Sequence, residues 1–444
     1  MGGLLGAVVF LGLGLWGAHH IGSVLAAIEG NGTQFGLLFS VAFAMLAVQT
    51  VLYHLERPVR VTRRQQRNLD ELAVVVAVPA YNEDPELLLR CLLSMLRQRR
   101  LPDLVFVVDD GSHQARYGGV QAEFEQRARA AGVATRWART PNAGKRHAQG
   151  LVFSNTPIAD VYVTVDSDAY LDHEAIHEVL KPFRDPDVQS VAGVVLASNV
   201  AKNLLTRITD LWFVTGQMVD RSAASVTGSV LVNSGPLAAY RAAVVRDNLD
   251  GYLHETFFGR RVEFSDDSML TIYALARGKA VQQPTAFALT AMPETLDHHV
   301  RQYLRWMRGA TIRSWWRFKY LPLSGPAFWL HLMGWVQMAV STALFVILFV
   351  IAPVAAGKMT PLLLLVPVSV GVAQAMRYLN IRRSDQSAWS TIATLALAPV
   401  GVLWAFFGLR VIRWYGMATC LRTGSWGTRE TIELRAEPKA ATAA

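Results

Sequence analysis

The stretch Val161-Tyr162-Val163-Thr164-Val165-Asp166-Ser167-Asp168 decides the fold. Its first five residues are β-branched or aromatic, the composition of a strand buried on both faces. The run then ends in two carboxylates one residue apart, which such a strand delivers to its carboxyl end. In an open α/β sheet, ligands bind in the crevice beyond the strand ends. Asp-x-Asp at that place can hold a divalent cation against a diphosphate. The same triplet also reads as a solvated turn or a helix cap, so its meaning depends on the rest of the chain.

Upstream, Ala73 to Val78 reads as a first buried strand ending at Pro79-Ala80-Tyr81-Asn82-Glu83. Asp84 can cap the next helix, Pro85 fits its first turn, and Leu88, Leu92 and Leu96 with Cys91 and Met95 form its apolar face. Leu104 to Val108 is a second strand, closed by Asp109-Asp110-Gly111-Ser112. That acidic pair suits hydroxyl or base-edge recognition, or caps the turn into the next helix. Tyr117 to Ala131 reads as a helix and Val133 to Trp137 as a short strand, leading to Asn142-Ala143-Gly144-Lys145-Arg146-His147-Ala148. Gly144-Lys145 is not a P-loop, because the earlier glycine of that motif is missing. Lys145 and Arg146 can balance phosphate charge, or form a solvated helix start. Val191 to Leu196 is a further strand, and Leu204 to Val219 has a helical repeat that suits either the core or a membrane interface. The alternation of strands and helices predicts an α/β fold with a largely parallel sheet.

Composition adds a second component. Of 444 residues, 52% are hydrophobic and only 17% charged, and the apolar excess lies in blocks. The expected organisation is two transmembrane helices in 1–57, a cytoplasmic domain in 58–294, an amphipathic interface helix in 295–322, transmembrane or re-entrant helices in 323–415, and a cytoplasmic tail in 416–444. Met1 to Ala27 is read as a retained helix rather than a signal peptide, since it lacks a basic leader. Arg57, Arg60, Arg63, Arg64 and Arg67 follow the second apolar segment, whereas Glu29 to Thr33 carries no Lys or Arg. The positive-inside rule therefore places the central domain in the cytoplasm of a multi-pass protein of the cell membrane. These arginines account for much of the +9 formal charge, and no nucleic-acid partner is expected. Two separated cysteines imply neither a disulfide framework nor a zinc site. Trp315 and Trp316 are expected at the interface, and Pro399 is expected to break the apolar block Trp389 to Val411.

Several motifs then occur in order: Asp109-Asp110-Gly111, Gly144-Lys145-Arg146-His147-Ala148, Asp166-x-Asp168, Gly228 to Arg241 with its Ser234-Gly235-Pro236, Ser265-Asp266-Asp267, Gln302-Tyr303-Leu304-Arg305-Trp306 and Trp426-Gly427-Thr428-Arg429. Together they resemble the processive family 2 glycosyltransferases, and within them the hyaluronan synthases and the related chitooligosaccharide and chitin synthases. The resemblance implies a GT-A-like nucleotide-diphospho-sugar transferase domain, embedded in a helical transmembrane protein, that polymerises UDP-sugars and extrudes the product. Asp168 would bind Mg²⁺ or Mn²⁺, and Tyr81, Glu83, Asp109 and Asp110 would seat the uridine. Lys145 and Asp166 would border the sugar nucleotide. Asp267, in the acidic motif with Asp266, would be the general base. Arg305 would pair with diphosphate, and Gln302 and Trp306 would meet the growing polysaccharide at a channel mouth. Trp426 and Arg429 would complete the site. Two departures fall near the pockets: Ser265 and Ser268 flank the acidic pair where many hyaluronan synthases have Gly and Arg, and Val232-Asn233 replaces a common Cys. The donors read as UDP-GlcNAc, alone or alternating with UDP-GlcA. A non-processive transfer to a lipid phosphate is the other reading.

Overall fold

The computed structural model describes residues 33–351, 353–354, 364–381, 383 and 385–422. The segment from Met1 to Ala27, Trp426 and Arg429 lie outside the described residues. Eight strands form one sheet: β1 (Val74–Ala80), β2 (Leu104–Asp109), β3 (Ala134–Arg139), β4 (Val161–Thr164), β5 (Ala169–Leu171), β6 (Val188–Ala197), β7 (Ala238–Arg241) and β10 (Lys279–Thr290). A small hairpin, β8 (Thr256–Phe257) and β9 (Arg260–Arg261), stands apart. The order across the sheet is β3-β2-β1-β4-β7-β6-β10-β5. All pairings are parallel except β7 against β4 and β6, and β5 against β10.

β1 shows why the central strands are apolar throughout. Val74, Val76 and Val78 enter the core on one face, and Val75 and Ala77 enter the core on the other, the alternation a pleated strand requires. Helix Pro85–Met95 covers the first face, and its start follows the expected chemistry: Asp84 Oδ1 accepts from Glu86 N at 2.9 Å and Leu87 N at 3.2 Å. On the second face lie α1 (Lys145–Ser154) and α3 (Asp266–Arg277). Each begins at the sheet's carboxyl edge, so both place their first residues there.

The two antiparallel strands are features that the motif reading did not foresee. Thr164 of β4 pairs with Ala238 of β7, so the start of β7 lies beside the end of β4. That geometry brings Gly235 against Asp166: a Cβ at Gly235 would fall 2.8 Å from Asp166 Oδ2. A side chain there would displace the Asp166 carboxylate, and the glycine leaves it room.

The β6 and β10 end of the sheet packs against α2 (Leu204–Gly216), through Val194, Leu196, Leu211 and Val214, and against Ala375, Tyr378 and Ala398 from the later helices. A buried ion pair fixes this junction. Arg383 lies 3.1 Å from Asp210 of α2, and the Tyr378 hydroxyl donates to the same carboxylate at 2.6 Å. Among the described residues, one helix, Pro326–Ile351, is by itself long and apolar enough to cross a membrane. The block expected to break at Pro399 does bend, by 44° between Ala388–Ala396 and Ala398–Ala418. The break falls at Leu397, which places Pro399 in the first turn of the second helix, where it costs no hydrogen bond.

The long helix α4 (Leu296–Tyr320), capped by Thr295, is bolted to the sheet domain by charge. Glu255, 9% exposed, accepts from Arg146 of α1 and Arg313 of α4, which are 2% and 0% exposed. Both guanidiniums also donate to the Phe264 carbonyl, at 2.9 and 3.0 Å. Trp316 Nε1 donates to Glu255 at 2.6 Å. Two expectations are corrected by this cluster. Arg146 turns into the core and cannot serve phosphate, and Trp316 faces inward, while Trp315 is 59% exposed. A short polar run at a helix start does not reveal which of two adjacent cations points inward.

Removing the shared acid leaves two buried cations facing each other, a change that costs about 3–5 kcal/mol in comparable buried pairs. Glu255→Ala should therefore lower the melting temperature of the purified protein strongly. Arg99→Ala, which breaks an exposed pair with Glu174 at 3.3 Å, should barely change it. Equal melting temperatures for Glu255→Ala and wild type would contradict the bracing role.

Candidate active site

A cavity of about 500 Å³ opens at the carboxyl edge of the sheet. The ends of β1, β2, β4 and β10, the start of β7, the first turn of α3 and one face of α4 meet around it. Of the residues singled out in the sequence, Tyr81, Asp110, Lys145, Asp166, Asp168, Asp266, Asp267, Gln302, Arg305 and Trp306 all line it. Glu83 and Asp109 do not. Glu83 is buried behind the wall, where one of its oxygens accepts from Ser167 Oγ at 2.9 Å. Asp109 is buried too and accepts from Ser112 N at 2.9 Å. Both shape the wall from behind. Asp110 ties the end of β2 to the next loop, accepting from Ala143 N at 3.0 Å and Gly144 N at 2.9 Å.

Lys145 organises the charges. As the first residue of α1 it projects into the cavity, with Nζ 2.8 Å from Asp166 Oδ1 and 3.0 Å from Asp266 Oδ2. Burial pulls its ammonium pKa down, but Asp166 and Asp266 outweigh burial and hold it well above the ordinary lysine value. The adjacent carboxylates of α3 are thereby driven apart. Burial pushes Asp266 up, yet Lys145 more than compensates and keeps it below the usual range. Asp267 has burial and the Asp266 charge against it, and its pKa rises to about 6. Asp166 is also raised, by burial first and by Asp168 and Asp266 beside it, against the pull of Lys145. One pair of neighbouring acids thus yields a fixed anion and a group that can exchange a proton near neutrality.

The backbone holds this pair in a restricted shape. Ser265, just before it, has φ of +54°, a left-handed conformation uncommon for a residue with a Cβ. It sits where the resemblance led one to look for glycine. Arg313 Nε donates to the Ser265 carbonyl at 3.2 Å, and Gly309 of α4 gives the Ser265 side chain room that any Cβ would take.

Two further side chains on the cavity wall had no motif to announce them. Phe213 of α2 stacks on Trp306, with ring centroids 5.6 Å apart and planes at 28°. Arg221 ends the π-helical turn Gln217–Arg221 that follows α2. A π turn is itself a frequent marker of functional sites, but it has no sequence signature. Behind the site lies a second cavity of about 470 Å³ among the helices. Trp212 lines that one, and its neighbour Phe213 lines the first.

With the geometry in view, comparison with known proteins is direct. The family model described as "Glycosyltransferase like family 2" matches residues 72–309. A hyaluronan synthase of Streptococcus pyogenes serotype M3 is 33% identical over 376 residues, covering 83% of this chain and 85% of that one. An N-acetylglucosaminyltransferase of Rhizobium meliloti is 35% identical over 254 residues, covering 56% of this chain and 58% of that one. Among solved structures, a mannosyltransferase from Pyrobaculum calidifontis in complex with GDP-Man and Mn²⁺ has the same fold, with a TM-score of 0.50 at 18% identity, covering 86% of this chain and 99% of that one. The family match over more than half the chain, on a GT-A-like and mostly parallel sheet, shows that this protein is a glycosyltransferase of family 2.

Proposed function

We propose that the protein is a membrane-integrated, processive, inverting β-glycosyltransferase. It polymerises UDP-GlcNAc, alternating with UDP-GlcA, and passes the polysaccharide across the bilayer through its own helices. The observation that carries the reading is the split of Asp266 from Asp267 by Lys145, which leaves a carboxylate with pKa about 6 on the cavity wall. A general base is most useful when its pKa lies near the working pH. The relatives named hyaluronan synthase and N-acetylglucosaminyltransferase support the choice of sugars.

In this reading Asp267 accepts the proton of an acceptor hydroxyl. The oxygen bonds to the anomeric carbon from the face opposite the nucleotide, and the bond from that carbon to the diphosphate breaks with its electrons going to UDP. One displacement inverts the centre and gives a β-linkage. Asp110 and Tyr81 contact the uridine, with Glu83 and Asp109 holding that wall. Lys145 and Asp166 border the sugar, Arg305 faces the diphosphate with its planar fork, and Asp266 keeps Lys145 in place. Gln302 and Trp306 receive the acceptor, and the Trp306–Phe213 stack, next to the second cavity, is the entrance to the conduit. The donor set at the end of β4 fits Mg²⁺ or Mn²⁺: it is all oxygen, Asp168 lines the cavity, and Asp168 would hold the ion beside the diphosphate. When bound, the ion would offset charge on the departing diphosphate. The arginines between Arg57 and Arg67 and the apolar helix Pro326–Ile351 support a cell-membrane protein with a cytoplasmic catalytic domain.

UDP release by the purified protein with Mn²⁺ tests the reading. Polymer from UDP-GlcNAc plus UDP-GlcA, and none from either alone, is the expected result. Polymer from UDP-GlcNAc alone would make it a chitin-like synthase, a product extractable with lipid would indicate a lipid-phosphate acceptor, and no turnover from folded protein would sink the proposal. Asp168→Asn should lose metal-dependent turnover while melting like wild type.

The raised pKa of Asp267 also has a stability consequence. An acid whose folded pKa exceeds its unfolded value of 3.8 costs stability when ionised, and the cost grows as pH rises from about 4 through about 6. Asp267→Asn should therefore abolish turnover yet melt higher than wild type at pH 8, the gap closing below pH of about 4. A variant less stable than wild type at pH 8 would contradict this electrostatic picture.

A further inference from the structure

Arg221 is a cation on the cavity wall whose hydrogen-bond acceptors are all neutral. Nη1 donates to the Gly193 carbonyl at 3.0 Å and to Gln217 Oε1 at 3.3 Å, and Nη2 donates to Ser234 Oγ at 2.6 Å. A guanidinium has five N–H groups, so Nε–H and one Nη2–H have no acceptor among the described residues. Burial lowers the pKa only to about 10, with Asp267 and Glu56 acting on it through space rather than as ion pairs. The charge is therefore present at neutral pH and is not cancelled by a contacting acid.

The surroundings make that charge notable. Six acids line the cavity, against Lys145, Arg221 and Arg305. Lys145 is committed to Asp166 and Asp266. An anionic sugar brought to Asp267 would meet strong repulsion unless a cation stood on the acceptor side. Arg221 lines the same cavity and interacts through space with Asp267. It ends the π turn that continues the helix carrying Phe213, whose ring stacks on Trp306, and its Ser234 contact anchors the turn beside Gly235 and Asp166. Held along one part of its fork by carbonyl and hydroxyl groups, it presents the remainder in a fixed direction, as carboxylate recognition requires.

We propose that Arg221 binds the carboxylate of a hexuronate unit in the acceptor chain, so that the site reads whether the sugar next to the base is acidic. The inference rests on the polymerase reading above and adds to it the residue that distinguishes an anionic from a neutral acceptor. It also explains why a cation is kept in the wall when the diphosphate has Arg305 and a metal site of its own.

The test compares two oligosaccharide acceptors of equal length, one ending in glucuronate and the other in glucose, which differ by one carboxylate. UDP-GlcNAc is the donor, and kcat/KM is taken from transfer to each acceptor. Wild type should favour the glucuronate-ended acceptor by about tenfold or more, the scale of one hydrogen-bonded charge pair. In Arg221→Gln that ratio should fall to about one. Reading the ratio cancels any general loss of rate, which a merely structural role would cause. Arg221→Lys keeps charge without the fork and should give an intermediate ratio, and it decides the matter if Arg221→Gln does not fold. A wild-type ratio near one, or a preference unaltered in the variants, would overturn the proposal. So would equal losses on both acceptors, which would mark a structural or diphosphate role. Transfer to neither acceptor by folded wild type, with no UDP released, would instead defeat the polymerase reading on which the inference stands.

Discussion

The ammonium of Lys145, 2.8 Å from Asp166 and 3.0 Å from Asp266, is the interaction on which the site depends. Three elements converge on it: the end of β4, the start of α1 and the start of α3. Without it, four acids from two segments, Asp166, Asp168, Asp266 and Asp267, would share one partly closed cavity, and each would raise the others' pKa. With it, Asp266 is held below the usual carboxylate range, the rise that burial imposes on Asp166 is opposed, and Asp267, which it does not touch, is left with a raised pKa. The next residue, Arg146, faces the other way and shares Glu255 with Arg313. Two consecutive cations at a helix start therefore do separate jobs, one setting the charge of the cavity and the other tying α4 beneath it.

That tie matters because α4 carries Gln302, Arg305 and Trp306. Their position relative to Asp267 is set by the Glu255 cluster, by Arg313 reaching the Ser265 carbonyl, and by the absence of a side chain at Gly309. On the opposite side, the Arg383–Asp210 pair fixes α2, whose Phe213 meets Trp306. The cavity carboxylates and the aromatic pair thus belong to one braced unit, consistent with chemistry that must be aligned closely to proceed.

Much of this was legible in the chain. β1, β2 and β4 follow from apolar runs too short for helices, and the Asp84 cap and the amphipathic α4 follow from local rules that the structure obeys. Tyr81, Asp110, Lys145, Asp166, Asp168, Asp266 and Asp267 lie where a strand ends or a helix begins, whereas Gln302, Arg305 and Trp306 lie within α4. What was not legible depends on partners distant in sequence. β7 runs antiparallel to both β4 and β6, and its four residues carry no signal of direction. Arg146 and Trp316 point inward because Glu255 waits there, 109 and 61 residues away. Glu83 and Asp109 sit where the sequence placed them but behind the wall, a displacement of one layer that no spacing encodes. Arg221 enters the cavity through a π turn that looks like ordinary helix in the sequence.

The most direct measurement is the pH dependence of kcat/KM for UDP release, in wild type and in Asp266→Asn. With Asp267 as base, activity should fall on acidification with an apparent pKa near 6. Asp266→Asn removes the neighbouring charge that raises Asp267, so its acid limb should move to lower pH, whatever the loss in absolute rate. A rate independent of pH between about 5 and 8, or a limb unmoved in the variant, would contradict the account.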